Sequence, residues 1–326
     1  MKKHKPCSPE KARQAFDLSK KFGYEKAAIE LGIAKETVRR YVRHHRHYED
    51  ISAEEIMTSN AVLRQIRERY TDKELLAIAK SGAPTNRPII PIHNFEGQEI
   101  IIGGITDTHL GSTFTNPDFI KEAFDMFDKE NVDMVCHSGD VTEGMSHRPG
   151  HIFELSHIGY DAQKEHAIEI LKQWDKTPFY MIDGNHDRWF RNSNGALIVK
   201  DICDAIPNAE FLGHDEGDIK LSKNAKLKLW HGEDSSSYAI SYRLQKIIES
   251  FTGGEKPSAL LAGHVHKAGY FYIRHVHCFS GGAIQSQSKW MRSKRIASHS
   301  GFWIYKLTIN NKGIARCAGE FFPFYV

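Results

Sequence analysis

Apolar positions fall into two regimes along the chain. Up to about residue 80 they recur at helical spacing among charged residues. Ser8 and Pro9 read as an N-cap and first helical position, and residues 11–21 continue that helix. Gly23 breaks it, residues 25–31 form a second helix that Gly32 ends, and residues 35–46 form a third with Val38, Tyr41 and Val42 on one face. Another helical stretch is expected over residues 52–80, followed by a Gly- and Pro-containing linker from Ser81 to Pro91. From about residue 99, strand-length apolar runs (100–105, 132–136, 179–182) alternate with helical segments (117–129, 156–174, 197–205). Short strands between Phe211 and Trp230, a helix over 238–250, a strand over 259–262 and a β-rich tail complete the pattern. The alternation predicts an α/β layered sheet. Residues 1–50 therefore read as a small all-α domain, 51–97 as a helical segment and linker, and 98–326 as the α/β domain.

Composition narrows the class. With 326 residues, 40% hydrophobic and 26% charged, the chain can fill a core and is not disordered, collagenous or a coiled coil. No apolar run approaches the roughly 18–20 residues of a membrane span, so no membrane partner is expected. Met1-Lys2-Lys3-His4-Lys5-Pro6 is basic but has no apolar run behind it, unlike a signal peptide. The cysteines Cys7, Cys136, Cys203, Cys278 and Cys317 are odd in number and scattered, which suits a reduced, cytoplasmic setting. Residues 1–50 hold 13 Lys and Arg against 7 Asp and Glu, whereas the rest hold 31 against 34. A basic head on a faintly acidic body suits a polyanionic partner, although a solvated surface can carry the same excess.

The chemistry lies just after the apolar strands. The first strand delivers Asp107-Thr108-His109, the second Gly139-Asp140, the third Gly184-Asn185-His186-Asp187. Leu227 to Trp230 delivers His231-Gly232, and Leu260 to Ala262 delivers Gly263-His264-Val265-His266. Ligands of open α/β sheets bind at the carboxyl ends of strands, so five such tips can converge. Carboxylate, amide oxygen and imidazole donors suit manganese, iron, nickel or zinc. Neighbouring glycines fit turns where backbone approaches an ion closely.

This ordered set of five motifs resembles the calcineurin-like metallophosphoesterase superfamily over about residues 98–285. The resemblance implies a four-layer α/β/β/α sandwich and two divalent cations, manganese first, with iron, zinc or nickel as alternatives. It implies that Asp107, His109 and His266 hold one metal, that Asn185, His231 and His264 hold the other, and that Asp140 bridges them. His186 would be the catalytic histidine and Asp187 its orienting partner. Such a pair of ions activates water for in-line phosphoester hydrolysis, leaving His186 to protonate the leaving group or steady phosphoryl charge.

The N-terminal pattern looks like a helix-turn-helix: Ala28 where helices cross, Gly32 at the turn, and Val38 anchoring the following helix. Lys35, Thr37, Arg39, Arg40 and Arg43 on that helix are candidates to meet DNA phosphates or base edges. A helical bundle for protein contact is the alternative. A DNA-binding head on a phosphoesterase points to a nuclease or nucleic-acid phosphatase and resembles DNA-repair exonucleases of the SbcD kind. Those enzymes commonly carry a histidine three residues after the bridging aspartate, where this chain has Glu143. The loop from Glu143 to His157, with His147, Arg148 and His151, is expected to overhang the metals, and Arg148 and Arg188 are candidate phosphate clamps. Near the C-terminus Lys289, Arg292, Lys294 and Arg295 with Trp290 form a basic, aromatic-bearing stretch suited to a strand backbone or, equally, to solvent. Two rival readings stand beside this one. One is a phosphodiesterase or phosphomonoesterase for small nucleotides or phosphoproteins, with a regulatory or dimerising head. The other is a DNA-binding regulator with a retired site, disfavoured by the intact donor set. Oligomeric state, a homodimer included, stays open.

Overall fold

A computed structural model of the chain describes residues 9–49, 90–232 and 239–325. The helical stretch expected over 52–80 and most of the linker lie outside the described residues. The chain divides into two compact units, Met1–Thr85 and Asn86–Val326.

In the first unit, α1 (Pro9–Leu31) is interrupted at Gly23, whose φ of 79° and ψ of 166° are not helical. Gly32, at φ 61°, turns the chain into α2 (Lys35–Glu49). Helix spacing puts Ala15, Ala27, Ala28, Val38 and Val42 into one core, with Phe16, Leu31 and Tyr41 against it. Lys35 and Arg39 stay on the exposed face.

The second unit is built on two sheets. One has the order β11 (Gly313–Pro323), β10 (Gly301–Asn310), β1 (Glu99–Ile105), β2 (Met134–Ser138), β3 (Phe179–Asp183), β4 (Ala209–His214). The other runs β5 (Glu216–Ser222), β6 (Ala225–Trp230), β7 (Ala259–Ala262), β9 (Val276–Gly281), β8 (Ala268–Ile273). Strands β1 to β4 are mutually parallel, as are β6, β7 and β9. Antiparallel strands finish both edges of the second sheet and one edge of the first, whose other edge is the parallel β4. The helices are α3 (Pro117–Lys129), α4 (Tyr160–Leu171), α5 (Arg188–Asn194), α6 (Ile198–Ala205), α7 (Ile240–Ser250) and α8 (Lys289–Ser293). Helix α3 starts where the Asn116 side chain accepts from the Asp118 amide and Pro117 occupies the first turn.

The two-residue period of the strands sorts their side chains into layers. On β1 to β3, Ile105, Val135, Phe179 and Met181 meet Phe124 and Phe127 of α3 and Ile202 of α6. The alternate residues Ile100, Ile102, Met134, Cys136, Tyr180 and Ile182 face Leu227, Leu229 and Leu261 of the second sheet. Leu260 and Ala262 point the other way, to Leu244, Ile247 and Ile248 of α7. Three cores between four layers make an α/β/β/α sandwich. Burial on both faces explains why these parallel strands read as continuous apolar runs rather than alternating ones.

Gly103 sits where Phe127 presses on β1: a Cβ there would stand 2.8 Å from the ring. Gly103→Ala is expected to cost about 1–3 kcal/mol by overpacking, measured as a melting temperature lower by roughly 2–4 °C per kcal/mol.

Candidate active site

Every one of the five donor loops leaves the carboxyl end of a parallel strand: β1, β2 and β3 in one sheet, β6 and β7 in the other. Because the sheets stack face to face, the five tips meet at one edge of the sandwich. Asp107, His109 and His266 place one donor atom each within 4.8 Å of one another, as do Asp140, His231 and His264, and as do His109, Asp140 and His186. Asn185 joins them, its Oδ1 lying 2.8 Å from His264 Nδ1 and 3.2 Å from His231 Nε2. All seven residues expected to ligate metal, and His186, are therefore brought together.

The backbone here is strained in one consistent way. Asp107, His109, Asp140, His264 and His266 all have left-handed φ, between 45° and 79°, a conformation uncommon for residues with side chains. Hydrogen bonds hold it: the Asp107 amide donates to the Gly139 carbonyl, and the His109 amide to the Asp140 carbonyl, each at 3.0 Å. Gly184 serves by lacking a side chain, since a Cβ would collide with the Asp140 carboxylate and stand 2.7 Å from His231 Nε2.

A pair of divalent cations fits this donor set. Nε2 of His109 and Nε2 of His266 face each other at 3.2 Å, and His266 Nε2 is 3.2 Å from Asp107 Oδ1. Asp140 Oδ2 is 3.1 Å from His231 Nε2 and 3.7 Å from His109 Nε2, so one carboxylate lies between both halves of the cluster. Ring nitrogens aimed at one another and at buried carboxylates call for shared positive charge. Electrostatics agree: burial opposes charge on His109 and His231, yet the Glu143 hydrogen bond and nearby carboxylates hold His109 at about 9, and Asp140 holds His231 at about 9. Oxygen and imidazole donors without thiolate suit first-row divalent metals.

Two sequence expectations are corrected. Asp187 does not orient His186. Its carboxylate accepts from the amides of Val141 (3.0 Å), Thr142 (2.7 Å) and Gly184 (2.9 Å) and from the Thr142 hydroxyl (2.8 Å). From the start of α5 the side chain turns back beneath the loops, strapping the one bearing Asp140 to the one bearing Asn185. Burial and the Asp140 charge push it up to about 7. Arg188 is no clamp either: it is buried and ion-paired to Asp215, with Asp183 at 4.0 Å, and does not line the active-site cavity.

Glu143, singled out in the sequence only for not being histidine, supplies the missing partner. Nδ1 of His186 lies 2.9 Å from the Glu143 carbonyl, an N–H donation that leaves Nε2 for substrate. The buried Glu143 carboxylate stands 3.0 Å from His109 Nδ1, 2.9 Å from His151 Nε2, and accepts from Gln285 Nε2 at 3.0 Å. It thereby fixes which nitrogen His109 turns to the cluster. Buried Arg243 donates to the carbonyls of His231 and Gly263, bracing the loops after β6 and β7. Only Glu143 had a local signal, its place three residues after Asp140; Gln285 and Arg243 had none.

Of the overhanging loop, Arg148 lines the cavity and His151 backs it, while His157 stacks on His166 instead, with centroids 3.9 Å apart. His147 is exposed. On α2 of the first unit, Lys35 pairs with Glu25, Arg39 with Glu36 at 3.3 Å, Thr37 and Arg40 are half-buried, and the side chain of Arg43 lies outside the described residues.

Glu143→Ala is expected to weaken Mn²⁺ binding by about 10–100-fold in calorimetric titration, and Glu143→Gln by less, because it keeps the side chain's shape and one acceptor oxygen. Unchanged affinity in both variants would remove Glu143 from the support of the cluster.

The calcineurin-like phosphoesterase superfamily domain matches residues 100–297. Solved structures of similar fold include an archaeal phosphodiesterase, 18% identical over 68% of this chain and 100% of that one, with a TM-score of 0.40. Another is YfcE, a phosphoesterase from E. coli, 15% identical over 67% of this chain and 98% of that one, with a TM-score of 0.36. A third is Vps29 from Entamoeba histolytica in complex with Zn²⁺, 12% identical over 69% and 100%, with a TM-score of 0.36. No curated protein sequence gave a significant match. No helix among the described residues is long and apolar enough to cross a membrane. With a matched domain spanning most of the chain and a donor cluster suited to divalent metals, the protein belongs to the calcineurin-like phosphoesterase superfamily and is a phosphoester hydrolase.

Proposed function

We propose that the protein is a dinuclear phosphoesterase acting on nucleic acid, a nuclease or terminal phosphatase, delivered to DNA by its N-terminal helices. Asp107, His109 and His266 would hold one cation, Asn185, His231 and His264 the other, and Asp140 both. Manganese is the first choice for that oxygen and nitrogen donor set. When bound, the ions would supply Lewis acidity at the phosphoryl oxygens and lower the pKa of attacking water. His186, held through Nδ1 by the Glu143 carbonyl, presents Nε2 to the phosphoester. As imidazolium it donates to a phosphoryl oxygen and then hands its proton to the leaving oxygen. Asp187 and Arg243 keep the loops from spreading as charge shifts among the donors.

The observation that carries the nucleic-acid reading is the first unit, a small three-segment helical core in which α2 follows a glycine turn and keeps Lys35 and Arg39 exposed. An exposed basic helix after such a turn suits the major groove and its phosphates. The rival reading, a hydrolase of small phosphoesters, requires only the second unit.

Purified protein with Mn²⁺ is expected to cleave labelled DNA as well as bis-p-nitrophenyl phosphate; cleavage of the small ester with single- and double-stranded DNA intact would favour the rival. Asp140→Asn should lower both activities by at least ~10²-fold while the circular dichroism spectrum stays unchanged.

DNA affinity should fall with salt. Replacing Lys35, Arg39 and Arg40 together with Ala should flatten the slope of log K against log salt by up to about 3, near one unit for each phosphate that is no longer neutralised. An unaltered slope would make α2 a protein-contact helix.

A further inference from the structure

The cavity over the donor cluster encloses about 440 Å³, and its walls are of two kinds. One wall is His109, Asp140, Asn185, His186, His264 and His266. The other is apolar and aromatic: Trp290, Met291, Ile296 and Val265, with Trp189 packed on His186 at 4.1 Å between centroids. A ligand filling this space touches both walls, so its phosphate and an apolar, flat group lie side by side.

The aromatic wall is a built feature. Ser288 caps α8 by accepting from the Met291 amide, and Met291 is buried, so the helix is pinned from beneath while Trp290 stays 43% exposed. Gln287 Nε2 donates to the Ile296 carbonyl, and the Ile296 amide to the Met291 carbonyl, which closes the segment on itself. The chain leading into it is tied to the donors: the Gln285 amide donates to the Asp107 carbonyl at 3.1 Å, and its side chain to Glu143. The indole therefore stands at a set separation from the phosphate end. The Arg148 guanidinium lies 5.6 Å from its centroid, held by Glu154 at 2.6 Å, and adds a cation to the mouth. Lys289, Lys294 and Arg295 are exposed on the same segment and make no ion pair among the described residues.

We propose that residues 288–296 form a nucleobase-stacking subsite, with Trp290 as platform, so that the substrate is an unpaired nucleotide of a single strand or a frayed chain end. This rests on the nucleic-acid reading above. A volume of this size suits one nucleotide-sized ligand, since small-ligand pockets span roughly 300–1,000 Å³. A paired base keeps both faces stacked inside the helix and offers only its edges to protein, whereas an unpaired base offers a face to an indole. Lys289, Lys294 and Arg295 then meet the phosphates of the neighbouring nucleotides.

The test uses the full-length protein and a single-stranded oligonucleotide ending in 2-aminopurine, whose fluorescence is quenched on stacking. In Ca²⁺, wild type should quench it. Trp290→Ala should lose the quench and Trp290→Phe keep most of it. In Mn²⁺, Trp290→Ala should raise KM for a single strand by about 10-fold with kcat little changed. Removing the terminal base should raise KM in wild type but no further in Trp290→Ala. Equal quenching by wild type and Trp290→Ala, or a KM rise that persists with the base removed, overturns the subsite. Turnover of bis-p-nitrophenyl phosphate without binding or cleavage of any oligonucleotide would instead sink the nucleic-acid reading, and this inference with it.

Discussion

Two carboxylates, Asp107 and Asp140, are almost wholly buried at the same edge of the sandwich, and each raises the cost of charge on the other. Water cannot relieve that repulsion, so positive charge must. Every other feature of the site answers this requirement. Imidazoles from three further strand ends converge on the pair, and His109 and His231 are drawn towards the cationic form by it. The backbone accepts left-handed geometry at five donor residues to bring these atoms together, a strain of order 1–3 kcal/mol each in such conformations. The sandwich supplies the compensating burial.

A second tier of residues keeps the strain from relaxing. Asp187 binds three amides and a hydroxyl across two loops. Arg243 ties two carbonyls across two others. Glu143 couples through its two ends: the carbonyl positions His186, while the carboxylate fixes His109 and reaches Gln285, which leads into the segment carrying Trp290. One residue thus sets His109, His186 and the segment carrying Trp290 relative to one another. A histidine at that position could not accept from His109, His151 and Gln285 at once, because a carboxylate offers two oxygens and an imidazole at most one acceptor nitrogen.

Much of this was legible in the chain itself. Strand-length apolar runs, each followed by Asp, His or Asn and a nearby glycine, pointed to seven donor residues that the fold brings together, because a donor that must sit at a strand tip has to follow the strand in sequence. The layered fold followed from alternation of strand and helix periods, and the breaks at Gly23 and Gly32 from residues that leave helical geometry readily. Partners were harder. Asp187 follows His186 directly, in the turn just before α5, yet its carboxylate faces back to the amides of Val141, Thr142 and Gly184 while the His186 ring reaches the Glu143 carbonyl.

The identity of the donors and their order along the chain thus follow from residue type and local spacing, and need no knowledge of the packed molecule. The pairing of groups needs the packed molecule. Gln285 reaches Glu143 across 142 residues, Arg243 grips carbonyls that any residue could provide, and Arg188 turns inward to Asp215 rather than out to a phosphate. Such contacts are set by how two sheets and their loops stack in space, and a hydrogen bond to a main-chain carbonyl leaves no mark on the residue that accepts it.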